Sequence, residues 1–174
     1  MPRIADLLLP EFDNEITVTR RVLERVPDDQ GQWKPHPKSF PMGHLAQLVA
    51  RLPGWTMMVI DKTELDIALP GGGKFPGYSF EKTATLLAEL DRNAMAARAS
   101  IASTSDADFD VPWSFKRAGV TMMTMPRYQM LRSMMLNHLV HHRAQLAMYL
   151  RMVDLPVPSM YGPTADDKPY GSPA

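Results

Sequence analysis

Three of the five histidines in this chain lie within one short segment, Asn137-His-Leu-Val-His-His-Arg143. On an α-helix, residues four positions apart project from the same face, so His138 and His142 would stack, whereas His141 would point about 100° away from His142. Two stacked imidazoles can bind one divalent ion and leave room for a third protein ligand and water. Histidines near a helical core are also often hydrogen-bonded structural residues, so the spacing alone leaves both interpretations open.

The remaining sequence offers no comparable centre. Because the chain has no cysteine, it has no thiolate ligand, cysteine nucleophile or disulfide. The run Gly71-Gly-Gly-Lys74 lacks the spacing and the following Ser or Thr of a phosphate-binding loop, so we interpret it as a flexible connection. Ser133 and Ser159 lie in no nucleophile-elbow motif. The sequence therefore places any chemistry at the histidine cluster.

Composition and charge exclude several classes of protein. Lysine and arginine together number 19, as do aspartate and glutamate, and no basic stripe is present, so nucleic acid is not an expected partner. No apolar run approaches the ~20 residues that cross a bilayer. The N-terminal apolar stretch turns acidic at Glu11 and lacks the cleavage site of a secretory signal. We expect one soluble, cytoplasmic domain over residues 1–174, with no membrane contact.

Apolar periodicity predicts two helices in the first third of the chain. The first has Pro10 in its opening turn and ends at Pro27, with apolar residues at steps of three and four. Glu15 lies near the apolar face of this helix, and we predict that it is exposed. The second helix is predicted from about residue 39 to residue 61, and Pro53 should kink or split it because proline removes a helical hydrogen bond.

The rest of the sequence predicts two more helices, separated by a segment in which the hydrophobic pattern changes from the helical period to the alternation of a strand. After a loop at residues 69–77, a third helix is predicted from Ser79, a good N-cap, to about Ser103. Between residues 106 and 125, apolar and polar residues alternate, which predicts a short β-hairpin or an extended loop.

A fourth helix is predicted to begin at Pro126 and to run unbroken to about Met152. Pro156, Pro158 and Pro163 follow it, so residues 153–174 are predicted to form an extended tail. Four helices with one long crossover before the last predict an all-α fold, a four-helix bundle with the β-hairpin in the crossover.

Several segments carry a family resemblance. The fourth helix contains His138-Leu-Val-His-His-Arg-Ala-Gln-Leu-Ala-Met-Tyr-Leu-Arg151, and Pro156-Val-Pro-Ser-Met-Tyr-Gly-Pro163 follows it. Upstream lie Leu8-Leu-Pro-Glu-Phe12, Trp33-Lys-Pro-His-Pro-Lys-Ser39 and Leu52-Pro-Gly-Trp55. Together these segments resemble the DinB-like family, whose members related to YfiT are metal-binding four-helix bundles. The resemblance covers nearly the whole chain.

The resemblance implies a divalent ion, such as zinc, nickel or iron, held by three histidines. Two of them map onto His138 and His142, and the third would come from the second helix, at the position that Leu48 occupies here. The nearby histidine, His44, lies one turn earlier on the same face, about 6 Å away. Three outcomes are open: His44 replaces the missing ligand, water or Gln145 completes a weak two-histidine site, or Leu48 fills a site that has lost its metal.

The resemblance also implies a class of reaction, because characterised relatives include transferases and isomerases that use the thiols bacillithiol, mycothiol or glutathione. We therefore expect a metal-dependent enzyme of this type, with a low-molecular-weight thiol as partner and with Gln145 or Arg143 orienting the substrate. The alternative is a non-catalytic bundle, forming a homodimer, that binds a small apolar ligand or a partner protein. Leu48 in the ligand position and the methionine-rich fourth helix favour this alternative.

Overall fold

The computed structural model describes residues 2–68 and 77–167, and most of them are helical, as predicted. The helices are α1 (Ile4–Leu23), α2 (Met42–Arg51), α3 (Trp55–Ile60), α4 (Thr83–Ser103), α5 (Asp106–Phe109), α6 (Arg127–Leu131) and α7 (His138–Met152). Three strands, β1 (Glu64–Asp66), β2 (Pro112–Arg117) and β3 (Val120–Pro126), form one small sheet. None of the helices in the described ranges is long and apolar enough to span a membrane.

Two predicted segments fall partly or wholly outside these ranges. Most of the glycine-rich connection lies at residues 69–76, and the end of the predicted tail lies at residues 168–174; neither stretch belongs to the described residues. The described part of the tail, residues 153–167, contains no helix or strand, as predicted.

The long helices pack on one another around two apolar clusters. α1 contacts both α4 and α7, and α2 contacts the same two helices. One cluster joins the C-terminal end of α1 to α2, α4 and α7, and its members include Val22, Leu45, Leu48, Leu90 and Leu146. The other joins the N-terminal half of α1 to the sheet and α6, and its members include Phe12, Ile101, Phe109, Trp113 and Met130.

The first helix begins earlier than predicted. Its first backbone N–H, on Ile4, donates to the Asp106 carboxylate at 2.8 Å, and the backbone N–H of Arg3 donates to Asp6 at 3.3 Å. These two carboxylates satisfy N–H groups that a helix start leaves without partners. Pro10 therefore lies inside the helix instead of opening it, and the prediction of its position was wrong.

Pro53 splits the second predicted helix, as expected. α2 ends at Arg51, a 3₁₀ turn over Leu52–Gly54 contains the proline, and α3 follows at once. The predicted start of the third helix at Ser79 was wrong. The Ser79 N–H donates to the Gln47 side chain at 2.7 Å, and α4 begins only after Lys82.

The predicted β-hairpin is present, and it forms a sheet with a strand that the sequence did not indicate. β2 and β3 pair antiparallel through a turn in which Ala118 (φ 50°) and Gly119 (φ 79°) both have positive φ, as tight hairpin turns of this kind require. β1 pairs parallel with β2. The fold is thus mostly helical with a three-stranded sheet, instead of all-α. β1 was missed because three residues are too few to show a period.

The last predicted helix is helical over its expected length, but its register changes midway. A π-helical turn over Arg132–Asn137 joins α6 to α7, and His138 is the first residue of α7. π-Helical turns are rare and often lie at functional sites, because they re-aim the side chains that follow. The prediction of an unbroken helix missed this turn.

A buried ion pair connects α7 to α1. The Arg143 guanidinium lies 2.7 Å from the Glu15 carboxylate, with side chains only 1% and 8% exposed. Arg143 also donates to the Glu15 carbonyl and the Thr19 hydroxyl, both at 3.1 Å. The Tyr161 hydroxyl, from the tail, accepts from Arg143 at 2.6 Å and donates to Glu15 at 2.8 Å. Glu15 is therefore buried and not exposed, and Arg143 has a structural partner instead of the substrate-orienting role we expected.

We predict that Glu15→Ala destabilises the protein severely, by about 3–5 kcal/mol, because it leaves the Arg143 charge buried without a counter-ion. Chemical denaturation measures the free energy of unfolding. Glu11→Ala is the matched control, since Glu11 lies one turn earlier on α1 and pairs with the solvent-exposed Arg132. Its expected cost is below about 1 kcal/mol. Equal losses in the two variants would contradict the interpretation.

A candidate metal and ligand site at the histidine pair

The two histidines predicted to act together face each other. The Nε2 atoms of His138 and His142 are 2.8 Å apart, and their ring centroids are 4.5 Å apart. His142 is buried, at 8% exposure, whereas His138 is half-buried and packs edge-on against Trp55 at 5.3 Å between ring centroids. The spacing of four residues therefore produces the convergent pair that it predicted.

The outer ring nitrogen of His142 has its own partner. His142 Nδ1–H donates to the side-chain oxygen of Gln145 at 2.8 Å. With Nδ1 protonated, His142 presents an Nε2 lone pair to His138, because a neutral imidazole carries only one N–H. In one tautomer His138 donates to this lone pair through Nε2–H, and in the other it presents a second lone pair. In the second form the two nitrogens can hold one cation between them.

Burial disfavours protonation of the pair. Desolvation is the main cause that lowers the pKa of His138, and the neighbouring His142 and His141 lower it further. Burial likewise lowers the pKa of His142, although its hydrogen bond to Gln145 acts in the opposite direction. Both rings are therefore neutral at pH 7, which is the form that binds a metal ion.

His44, the proposed substitute ligand, lies in an aromatic stack. Its ring is sandwiched between Phe40 and Tyr78, with centroid distances of 4.3 and 3.8 Å. Burial, Arg51 and His142 all lower the pKa of His44, so it too favours the neutral form. Its ring faces are covered, and no hydrogen bond joins it to the histidine pair within the described residues.

An apolar cavity of about 550 Å³ opens beside His138. Aromatic rings from three parts of the chain form much of its wall, namely Trp55, Tyr78, Trp113 and Phe115. The remaining apolar side chains are Met58, Val59, Leu65, Ile67 and Met134. Trp55 and Trp113 are thus walls of this cavity. The cavity lies between the helix break at Pro53, the sheet and the π-helical turn.

A smaller, more polar cavity of about 220 Å³ lies beside His142. Lys38, Ser39, Gln145 and Tyr149 line it, together with Phe40 of the aromatic stack. Trp33, which stands outside the lining, packs edge-on against Tyr149 at 5.5 Å between ring centroids. Each histidine of the pair therefore lines a different cavity, and the two cavities differ in polarity.

The pair fits two ligand positions of a divalent ion. Bonds of 2.0–2.1 Å to one tetrahedral zinc ion place two imidazole nitrogens about 3.3 Å apart, so the pair at 2.8 Å would open by about 0.5 Å to hold it. A third protein ligand is not assembled. In the part of the chain that the structure describes, no group of three or more His, Cys, Asp or Glu side chains could hold a metal ion. Leu48 is 5% exposed and packs in the core. Metal binding by His138, His142 and His44 stays a prediction.

Sequence reasoning missed the apolar cavity and the partner of Arg143. The cavity residues come from segments as far apart as Arg51 and His138, and no local pattern connects them. A signal did exist for Glu15, because Phe12 and Thr19 flank it at helical steps on a buried face.

We predict that metal-free protein loses stability on acidification. The unfolded chain binds protons at His138 and His142 below about pH 6.5, whereas the folded pair does so only at lower pH because its pKa values are depressed. The free energy of unfolding should therefore be constant above this pH and fall below it, until the folded pair is protonated. Denaturation curves across a pH series test this, and stability that rises on acidification would overturn it.

Gln145→Leu tests the hydrogen bond that opposes the lowering of the His142 pKa. It removes the hydrogen bond that raises the pKa of His142, so this pKa should fall further, as an NMR titration of the ring protons would show. Gln129→Leu is the control, because Gln129 lies in the preceding helix and donates to Tyr128 instead.

Comparisons with known proteins agree with the fold. A model of the DinB superfamily matches residues 11–146. A crystal structure of a DinB-like protein from Bacillus cereus is similar to this chain, with a TM-score of 0.69 and 18% sequence identity, covering 91% of this chain and 98% of that one. No curated protein matches. Since the matched segment spans most of the chain and includes the histidine pair, the chain belongs to the DinB superfamily.

Proposed function

We propose that the protein is a divalent-metal-dependent enzyme of the thiol-transferase or isomerase type, with His138 and His142 as its metal ligands. One observation carries the proposal. The Nε2 atoms of the two rings converge at 2.8 Å, while Nδ1 of His142 donates to the side chain of Gln145. A hydrogen bond of this kind at the outer nitrogen fixes the tautomer and the orientation of a metal-ligating histidine.

The residues around the pair would divide the remaining tasks. When bound, the ion would lower the pKa of a coordinated thiol, as metals do for water. Gln145 holds the ring of His142 and also lines the polar cavity, so it could both orient this ligand and contact a substrate. Lys38 lines the same cavity, and a positively charged residue there would suit a polar, anionic thiol such as glutathione. Water or the thiol itself would complete the coordination.

We predict that protein purified without an affinity tag and incubated with zinc binds about one equivalent, measured by elemental analysis. His138→Ala and His142→Ala should each abolish most of the binding, because each removes one of the two converging nitrogens. His141→Ala is the matched control, since His141 is exposed on the same helix and should leave the metal content unchanged. Metal that is absent from the wild type, or retained in both variants, would sink the proposal.

A second pair of variants tests whether position 48 or His44 can supply a third protein ligand to the metal. Leu48→His should increase zinc affinity by roughly tenfold or more, since an added imidazole would supply the ligand that the family pattern places there. His44→Ala should leave the affinity unchanged, because the ring of His44 is occupied by its aromatic stack. A large loss of affinity in His44→Ala would show instead that His44 leaves the stack and replaces the missing ligand.

The second candidate is a non-catalytic protein that binds a small apolar ligand and forms a homodimer. Leu48, packed in the core, and the apolar cavity favour it. If the side-chain amide of Gln145 is turned, His142 can donate through Nε2 to His138, and the pair needs no ion. Metal-free wild type that carries an organic ligand in native mass spectrometry, at the mass of a dimer, would support this candidate over the enzyme.

A further inference from the structure

The cavity beside His138 has the size and the shape of a small-molecule site. Its volume of about 550 Å³ lies within the range of ligand pockets. An apolar cavity of roughly 150 Å³ holds one benzene, so this one can take a molecule of two or three fused or linked rings. Its aromatic walls at Trp55, Tyr78, Trp113 and Phe115 present flat surfaces, which suit planar ligands.

The charge of this cavity is already balanced by the protein. Of the described residues that line it, Arg51 alone carries a formal charge. Its guanidinium donates to Glu89 at 2.7 Å and to the Gly77 carbonyl at 2.9 Å, and it lies 5.1 Å from the centre of the Tyr78 ring. A charged ligand would lose its hydration in this cavity without gaining a counter-ion, which is costly. The lining therefore selects neutral molecules.

His138 connects this cavity to the polar one. Its ring lines the apolar wall, and its Nε2 is 2.8 Å from that of His142, which lines the polar cavity. The aromatic stack repeats this arrangement, since Tyr78 lines the apolar cavity, Phe40 lines the polar one, and His44 lies between them. The histidine pair and the stack thus stand between two cavities of opposite character.

We propose that the apolar cavity is the binding site for a neutral, planar, largely apolar organic substrate, held with one edge at His138. The role of this molecule as a second substrate, beside a polar thiol in the other cavity, rests on the proposed function. The binding of such a molecule to the apolar cavity does not. The difference in polarity would keep the two substrates in separate cavities on the two sides of the histidine pair.

The test uses metal-free wild-type protein and the neutral fluorescent probe N-phenylnaphthylamine. We expect saturable binding at one site, with quenching of tryptophan emission because Trp55 and Trp113 form the wall. Neutral naphthylmethanol should displace the probe at least tenfold more effectively than the anionic naphthoate of similar size. Absence of saturable binding, or displacement by naphthoate that is equal or better, would overturn the proposal.

Two variants locate the site. Ile67→Glu places a carboxylate at the exposed rim of the cavity and should weaken probe binding about tenfold or more. Val120→Glu introduces the same charge at an exposed position of β3 outside the lining and should bind as the wild type does. Met58→Trp, which fills the cavity without adding charge, should also weaken binding. Binding that is unchanged in both Ile67→Glu and Met58→Trp would place the probe elsewhere and refute the assignment.

Metal analysis separates this proposal from the enzymatic one. A protein that binds the probe as expected but takes up no zinc would retain the apolar site and lose the proposed catalytic function. A protein that binds zinc through the histidine pair but shows no preference for neutral ligands would keep the proposed metal site. The class of substrate assigned to the apolar cavity would then be wrong.

Discussion

The orientation of α7 about its own axis depends on one buried charge, that of Arg143. Arg143 is 1% exposed, and an unpaired guanidinium at that depth would be very costly, so α7 must present it to Glu15 on α1. His142 is the preceding residue and therefore projects about 100° away, towards the polar cavity. The ion pair thus fixes the direction in which the histidine pair points. Tyr161 closes the network from the tail, with its hydroxyl between Arg143 and Glu15.

Two irregular turns shape the space that the histidines face. The 3₁₀ turn at Leu52–Gly54 precedes Trp55, and the π-helical turn at Arg132–Asn137 precedes His138. Both interruptions give up regular helical hydrogen bonding, and cavity-lining residues follow each of them. The sheet supplies Trp113 and Phe115 as a further wall of this space.

The parts of the molecule that sequence could predict are those set by local periodicity. The spacing of His138 and His142, the split at Pro53 and the hairpin turn at Ala118 and Gly119 each depend on residues within a few positions. The start of α1 was mispredicted because its cap, Asp106, lies far along the chain. Glu15 and Arg143 form their pair across a similar distance in sequence, and neither residue type announces such a partner. The aromatic cavity could not be predicted for the same reason, since its walls meet only after the sheet has packed on the helices.

The histidine pair also shows how few ligands one helix can supply. A spacing of four residues brings two imidazoles to one point, but a third donor would have to come from another element, and Leu48, at the position where the family resemblance places it, packs in the core. His44, one turn away on α2, stacks with Phe40 and Tyr78, so its ring contributes to the boundary between the cavities. A metal held by only two protein ligands keeps more positions open to exchange than a closed structural site does. With Leu48 at the position where the family resemblance places a third ligand, a metal held by the histidine pair would bind more weakly, and more of its coordination sphere would be left to molecules that enter from either cavity.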